Sequence, residues 1–147
     1  MLSGSKVALR KKELADAVRD YFWETDPELA ELNATSPIKV PFTVYLEDYA
    51  RALRWPKVGW HHFAIDTLDG EYIGNCIYYE FEESEERRAR LGISIGERSF
   101  WGRGYGSDAV AMLADHIFRG HREEALYLET LEQNMRARRC FERNGFV

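Results

Sequence analysis

The sequence has few cysteines and prolines, and it has no long apolar run. Its 147 residues include two cysteines and four prolines, and Cys76 and Cys140 match no metal-binding or redox spacing. We expect both thiols to be reduced and buried, as in a cytoplasmic protein. No apolar stretch approaches the roughly 20 residues that span a bilayer, and the N-terminus lacks the apolar core of a signal peptide. These absences favour a single domain over residues 1–147 that has no membrane attachment.

Positive charge is also scarce. Lys and Arg number 20 against 25 Asp and Glu, which gives a net charge of −5. A nucleic-acid-binding surface needs an excess of basic residues, so nucleic acid is not an expected partner. A negative chain instead weakly favours a cationic ligand through long-range attraction. The four histidines have no metal partner at a useful spacing, so no metal site is expected.

The spacing of apolar residues alternates between strand and helix patterns, which predicts an α+β fold. We expect a short strand, two helical regions, three strands in a meander, and then a helix, a strand and a further helix. The predicted ranges are 7–10, 14–23, 43–53, 62–66, 72–81, 89–95, 110–118, 126–130 and 134–145. Leu14, Ala17, Val18 and Tyr21 share the predicted apolar face of the first helix. Asp-Gly at 69–70 predicts the first hairpin turn.

Residues 102–107 read Gly-Arg-Gly-Tyr-Gly-Ser and lie between a predicted strand and a predicted helix. Glycines at alternate positions let the backbone curl closely and leave its N–H groups unshielded. N–H groups at a helix N-terminus, together with the helix dipole, favour an anion such as phosphate. A P-loop is excluded because no lysine precedes Ser107. A dinucleotide fold is disfavoured because the pattern is G-x-G-x-G and follows a meander.

Two stretches resemble the GNAT superfamily of acetyl-CoA-dependent N-acetyltransferases. Residues 100–109, Phe-Trp-Gly-Arg-Gly-Tyr-Gly-Ser-Asp-Ala, resemble its motif A, whose core is Q/R-x-x-G-x-G/A. Trp101 stands at the Gln/Arg position. The run Trp-Gly-x-Gly-Tyr at 101–105 is similar to the branch that holds ribosomal-protein N-terminal acetyltransferases, spermidine acetyltransferases and some antibiotic-modifying enzymes. Residues 132–146 resemble the family's N-x-x-A-x-x-x-Y-E-x-x-G-F box. The resemblance covers residues 60–147 well and the first 60 residues loosely.

The resemblance implies a mixed, mostly antiparallel central sheet flanked by helices, with a C-terminal β-α-β-α unit. Because the sequence stops at Val147, the family's last strands are expected to be truncated or supplied by another chain, as in a homodimer. Acetyl-CoA is the implied cosubstrate, with its pantetheine in the V between the strand ending near residue 95 and the strand starting at 126. The residues expected to contact it are Ser94, Ile95, Gly96, Trp101, Gly102, Arg103, Gly104, Tyr105, Gly106, Ser107, Asn134 and Arg139.

The implied reaction is direct transfer of the acetyl group to a neutral amine. An alkylammonium with a pKa of about 10 must first lose a proton, and a carboxylate can accept it. Strand alternation groups Tyr78, Glu80 and Glu82 on one face. Glu80, expected opposite the Gly92 region, is the predicted catalytic base or amine-binding group. Main-chain N–H groups near Ile95 would stabilise the oxyanion.

The acceptor and the catalytic competence of the site stay open. The expected acceptor is a protein N-terminus, a polyamine or an aminoglycoside-like amine. Phe141 stands where many relatives have a tyrosine that protonates the departing thiolate. The alternatives are a non-catalytic acyl-CoA-binding or regulatory module, and a nucleotide site unrelated to coenzyme A.

Overall fold

The computed structural model describes residues 2–33, 35–83, 85–120, 125–128, 142 and 144–145. Its strands are β1 (Leu2–Ser3), β2 (Val7–Lys11), β3 (Trp60–Thr67), β4 (Tyr72–Glu83), β5 (Glu86–Ile95) and β6 (Ala125–Leu128). Its helices are α1 (Ala17–Glu24), α2 (Pro27–Leu32), α3 (Phe42–Arg54) and α4 (Tyr105–Gly120). Two 3₁₀ turns, Leu14–Asp16 and Arg98–Phe100, precede α1 and follow β5. Among the described helices, none is long and apolar enough to cross a bilayer.

The strands form one sheet in chain order. All neighbours from β1 to β5 are antiparallel, and β6 runs parallel to β5. The predicted α+β class, with a mostly antiparallel sheet flanked by helices, is confirmed. The β5-α4-β6 part of the predicted C-terminal unit is present, whereas most of the predicted last helix lies outside the described residues.

The hairpin between β4 and β5 differs from the prediction. Glu83 pairs with Glu86, so both strands extend to a tight turn. The register therefore places Glu80 opposite Ala89, and the prediction that Glu80 faces Gly92 is wrong. At about 3.4 Å per residue, the two positions are about 10 Å apart along the strands.

Helix α4 packs on one side of the sheet, which we call the α4 face. Its apolar side chains recur every three or four residues, so they form one stripe. The stripe and the sheet share a core of fully buried or nearly buried residues: Val7, Leu9, Ile65, Ile73, Cys76, Tyr78, Ala89, Leu91, Ala109, Leu113 and Ile117. This packing fixes the N-terminal end of α4 beside the segment that leaves β5.

The opposite side of the sheet, the α1 face, contacts α1 and α2. Trp23 of α1 and Leu29 of α2 pack with Ala64 and Tyr72 of the sheet. The side chain of Asp26 caps α2 by accepting hydrogen bonds from the first-turn N–H groups. The α1 face therefore carries its own smaller core.

The buried face of α1 is not the predicted one. Leu14 and Val18 were expected to be buried but are 48% and 63% exposed. The helix instead buries Ala17, Asp20 and Trp23. A carboxylate takes a core position here, because other parts of the chain supply its partners.

Candidate functional site

The glycine turn between β5 and α4 has the conformation that its sequence predicts. Gly102 and Gly104 have φ angles of 70° and 84°, in the left-handed region that other residues rarely adopt. A Cβ added to Gly102 would meet nothing within 4 Å. A Cβ added to Gly104 would lie 3.3 Å from Cε of Lys6. Backbone conformation, rather than crowding, therefore requires glycine at residue 102.

The main-chain donors of this turn are left without a partner among the described atoms. None of the N–H groups of residues 102–107 donates a hydrogen bond within the described part of the chain. The N–H of Asp108 donates to the carbonyl of Gly104 at 3.0 Å, which starts the hydrogen bonding of α4. Consecutive donors at the positive end of a 16-residue helix fit an anion.

The side chains of Arg103, Tyr105 and Ser107 each make contacts at this turn. The Arg103 guanidinium lies 5.5 Å from the ring centroids of both Phe100 and Tyr105. Its Nη1 donates to the carbonyl of Ser99 at 3.2 Å. The Oγ of Ser107 accepts a hydrogen bond from Nδ2 of Asn144 at 3.0 Å. The structure thus brings Arg103 and Tyr105 into contact, whereas Ser107 contacts Asn144.

Trp101 and Gly96 have internal roles. The indole N–H of Trp101 donates to the carbonyl of Ile95 at 2.7 Å. The N–H of Gly96 donates to the carbonyl of Ile73 at 2.9 Å, and an added Cβ would lie 2.1 Å from the Trp23 ring. Glycine at 96 is thus required by Trp23. Both residues shape the segment that follows β5.

On the edge of β5 that faces away from β4, main-chain groups continue past the point where the described part of β6 ends. Because Gly96 bonds to β4, alternation in an antiparallel pair turns the main-chain groups of Ile93 and Ile95 away from β4. The described β6 pairs with β5 only as far as Leu91 and Leu128. The expected V beyond that point involves residues outside the described ones.

The α1 face brings polar residues beside the end of β5. Cross-strand pairing aligns Ser94 with Asn75, and the next row aligns Gly92, Ile77 and His62. The Oγ of Ser94 accepts a hydrogen bond from Asn33 at 3.2 Å. Sequence reasoning did not single out His62 as a site residue, because neither its spacing nor its neighbours indicate a role.

His62 is suited to accept a proton. Desolvation of its ring, helped by the Lys12 ammonium, holds the pKa of His62 below its usual value. The ring is therefore neutral near pH 7. Among the described residues it makes no hydrogen bond, and it stacks on Trp60 with a centroid separation of 6.4 Å.

Glu80 lies on the α4 face and has partners there. One carboxylate oxygen is 2.9 Å from Nε2 of His61, and the other is 3.6 Å from Arg87. The His61 ring stacks on Tyr78 at 4.4 Å. The catalytic role of Glu80 stays a prediction, without the proximity to Gly92 that motivated it.

A second polar cluster, the Lys12 cluster, was not predicted. It consists of Lys12, Asp20, Tyr49, Tyr72 and Asn75. The Asp20 carboxylate accepts hydrogen bonds from the other four side chains, including Lys12 Nζ at 2.5 Å and Tyr49 at 2.7 Å. Burial lowers the pKa of Lys12 although Asp20 opposes this effect. The partners are far apart in sequence, so no local pattern indicated them.

Several predicted residues lie outside the described ones. They are Asn134, Arg139, Cys140 and Phe141. Cys76 is buried as predicted, and burial raises the pKa of its thiol to about 12. In the described part of the chain, no group of three His, Cys, Asp or Glu side chains is placed to bind a metal ion.

The sequence and the fold are similar to those of known acetyltransferases. The family model of the acetyltransferase (GNAT) domain matches residues 6–147. An uncharacterized N-acetyltransferase p20 of Bacillus licheniformis is 30% identical over 125 residues, which cover 77% of this chain. The chain spans 63% of the length of that relative.

Two solved structures have the same fold at low identity. Spermidine N-acetyltransferase from Vibrio cholerae, in complex with CoA and spermine, superposes with a TM-score of 0.83 at 20% identity, over 97% of this chain and 82% of that one. AAC(6')-Ib, in complex with ribostamycin and coenzyme A, gives a TM-score of 0.78 at 21% identity, over 97% and 84%.

Proposed function

The chain belongs to the acetyltransferase (GNAT) family, and from this premise we propose that it transfers an acetyl group from acetyl-CoA to a primary amine. The observation that carries the proposal is the glycine turn, where the N–H groups of residues 102–107 donate to no described atom. When bound, acetyl-CoA supplies a diphosphate that such donors suit and a thioester that an amine attacks.

The turn and the end of β5 would hold the two parts of this molecule. The N–H groups of residues 102–107 bind the diphosphate, and Arg103 adds a positive charge beside it. The main-chain groups of Ile93 that face away from β4 bind the pantetheine as a strand would, whereas the carbonyl of Ile95 already accepts a hydrogen bond from Trp101. The N–H of Ile95 stabilises negative charge on the carbonyl oxygen under attack. Asn134 and Arg139 remain predicted contacts of the same ligand.

We propose that His62, rather than Glu80, accepts the proton of the attacking amine. Helix α4 covers the α4 face, so an acceptor molecule approaches Ser94 and Gly92 from the α1 face. His62 lies in the Gly92 row, two strand spacings or about 10 Å away between Cα atoms. A substrate amine and one water can span that distance.

The acceptor that the chain suits is a cationic amine. The net charge of −5 favours such a ligand by attraction. The solved structures of similar fold include complexes with spermine and with ribostamycin. A protein N-terminus, a polyamine and an aminoglycoside are therefore the three classes to test.

The test begins with coenzyme A binding to the Gly104→Val variant, measured by calorimetry. Valine cannot adopt the left-handed backbone without strain, so the N–H groups lose their alignment. Loss of two or more charge-assisted hydrogen bonds predicts a fall in affinity of at least about 100-fold. Gly70→Val is the matched control, because Gly70 also has a positive φ, of 90°, but lies at the β3–β4 hairpin.

The control should lose a similar amount of stability and keep coenzyme A affinity within about twofold. Unchanged affinity in Gly104→Val would refute the role of the turn. Thiol release from acetyl-CoA is then measured with spermidine, an aminoglycoside and a peptide with a free N-terminus. Tight binding with no thiol release on any of the three contradicts acetyl transfer and favours a non-catalytic acyl-CoA-binding module.

A further inference from the structure

Lys6, in the turn between β1 and β2, contacts the glycine turn from a distant part of the sequence. Its Cε lies 3.3 Å, and its Cδ 3.6 Å, from the point where a Cβ on Gly104 would stand. Its Nζ is 5.3 Å from the ring centroid of Tyr105, the first residue of α4. The absence of a side chain at residue 104 thus leaves room for the lysine.

Asp108 fixes the main chain of Lys6 at this place. Its Oδ2 accepts hydrogen bonds from the N–H groups of Lys6 at 2.9 Å and Val7 at 3.0 Å. Its Oδ1 accepts one from the hydroxyl of Ser5 at 3.3 Å. A carboxylate in the first turn of α4 would otherwise repel an anion bound there. Here its oxygens are directed toward donors of the β1–β2 turn, which lessens that repulsion.

The ammonium of Lys6 has no counter-ion among the side chains that the structure describes. Among the described residues, no carboxylate lies within ion-pair distance of it. A chain with a net charge of −5 that binds a polyanion must concentrate cations locally. In the described part of the chain, Lys6 and Arg103 place their charges beside Tyr105 at the start of α4.

We propose that Lys6 is a ligand-binding residue that pairs with the diphosphate of coenzyme A. The inference rests on the proposed function, because it requires that the N–H groups of residues 102–107 hold the same diphosphate. The alkyl part of Lys6 lies over Gly104, and its ammonium adds positive charge beside the phosphate that the N–H groups hold.

The test compares Lys6→Ala, Lys6→Arg and Lys11→Ala in the full chain. Lys11 is exposed at the other end of β2, so its loss changes the net charge equally and leaves the turn alone. Calorimetry should show coenzyme A affinity reduced about fivefold in Lys6→Ala, but within about twofold of wild type in the other two. Added salt should weaken binding to wild type more steeply than to Lys6→Ala.

Dephospho-CoA, which lacks the 3′-phosphate, tests which phosphate Lys6 meets. The same loss in Lys6→Ala with both ligands supports the diphosphate, whereas a loss seen only with coenzyme A overturns that assignment. Equal affinities of Lys6→Ala and Lys11→Ala overturn the role of Lys6 while leaving the proposed function intact. Failure of the wild-type chain to bind coenzyme A overturns both. Thermal unfolding followed by circular dichroism verifies that the variants are folded.

Discussion

The glycine turn and the Lys12 cluster are both rich in polar groups, but they use them in opposite ways. In the cluster, one carboxylate accepts hydrogen bonds from four side chains. In the turn, the N–H groups of residues 102–107 donate to no described atom. Polar groups that have internal partners hold elements together, whereas those without internal partners are available to a ligand.

The internal partners of the Lys12 cluster come from separate elements. Asp20 belongs to α1, Tyr49 to α3, and Tyr72 and Asn75 to β4, while Lys12 follows β2. The Lys12 and Asp20 side chains are only 10% and 8% exposed. The cluster therefore fixes α1 and α3 against the sheet, next to the strand pair that carries Ser94.

The largest effect is expected from breaking the cluster with Asp20→Ala. The change leaves the Lys12 ammonium buried without a counter-charge and removes the acceptor of three further donors. Removal of one partner of a buried ion pair costs about 3–5 kcal/mol. Urea unfolding at pH 7 should therefore show the free energy of unfolding reduced by that amount.

The double variant Lys12→Met with Asp20→Leu separates charge burial from packing. It removes both charges, so much of the lost stability should return. If the double variant is as unstable as Asp20→Ala, the cost lies in packing and the interpretation of the cluster as an ion pair fails. Coenzyme A affinity of the double variant should stay within about threefold, because the glycine turn is untouched.

A smaller effect, on rate, is expected at the two adjacent histidines. His61 has an internal partner in Glu80, whereas His62 makes no hydrogen bond among the described residues. We expect His62→Gln to lower kcat for thiol release about 100-fold, because it removes the group that accepts the proton. His61→Gln and Glu80→Gln should each lower it by less than about threefold.

The pH profile distinguishes a proton acceptor from a structural residue. The pKa of His62 is lowered, so the wild-type rate should fall only below about pH 6.5, as the ring becomes protonated. Lys12, Asp20 and His61 are the charged or titratable groups that influence this ring. His62→Gln should lose this limb of the profile. If kcat falls about 100-fold in Glu80→Gln and is unchanged in His62→Gln, Glu80 rather than His62 accepts the proton.

Local sequence patterns were sufficient to predict the glycine turn. They could not predict the Lys12 cluster, because its contacts join residues that are far apart in the sequence. The glycines at 102 and 104 have positive φ angles because the chain must curl there, and that requirement is visible in six residues. The partners of Asp20 lie 8 to 55 residues away, so an apolar face was predicted for α1 where a carboxylate is buried.

The register of β4 and β5 was missed for a different reason. Two-residue hairpin turns that need a positive φ usually have Gly, Asn or Asp there. In this turn the positive φ, of 66°, belongs to Glu85, a residue type that does not predict a tight turn. The strands were predicted too short, and Glu80 was placed three residues from its true partner.

The smallest effect concerns the acid sensitivity of a partnered carboxylate. Burial raises the pKa of Asp16, but hydrogen bonds from Arg10 and from the Glu13 N–H outweigh burial and hold it below its usual value. Because the pKa of Asp16 is lower in the folded than in the unfolded protein, its ionised carboxylate stabilises the fold fully above about pH 4. This stabilisation is lost as the pH falls through the folded pKa. Arg10→Gln should therefore cost about 1.5 kcal/mol at pH 7 and less at pH 3.

Arg51→Gln is the control for this pH dependence. Arg51 pairs with Asp48 at 3.0 Å, but both side chains are more than 60% exposed. An exposed pair contributes roughly 0–1 kcal/mol, so this variant should follow the wild-type stability curve from pH 7 to pH 3. Urea unfolding at several pH values measures all three proteins. If the Arg10→Gln curve runs parallel to that of wild type, Arg10 does not set the acid sensitivity, and the partnered carboxylate behaves like a surface group.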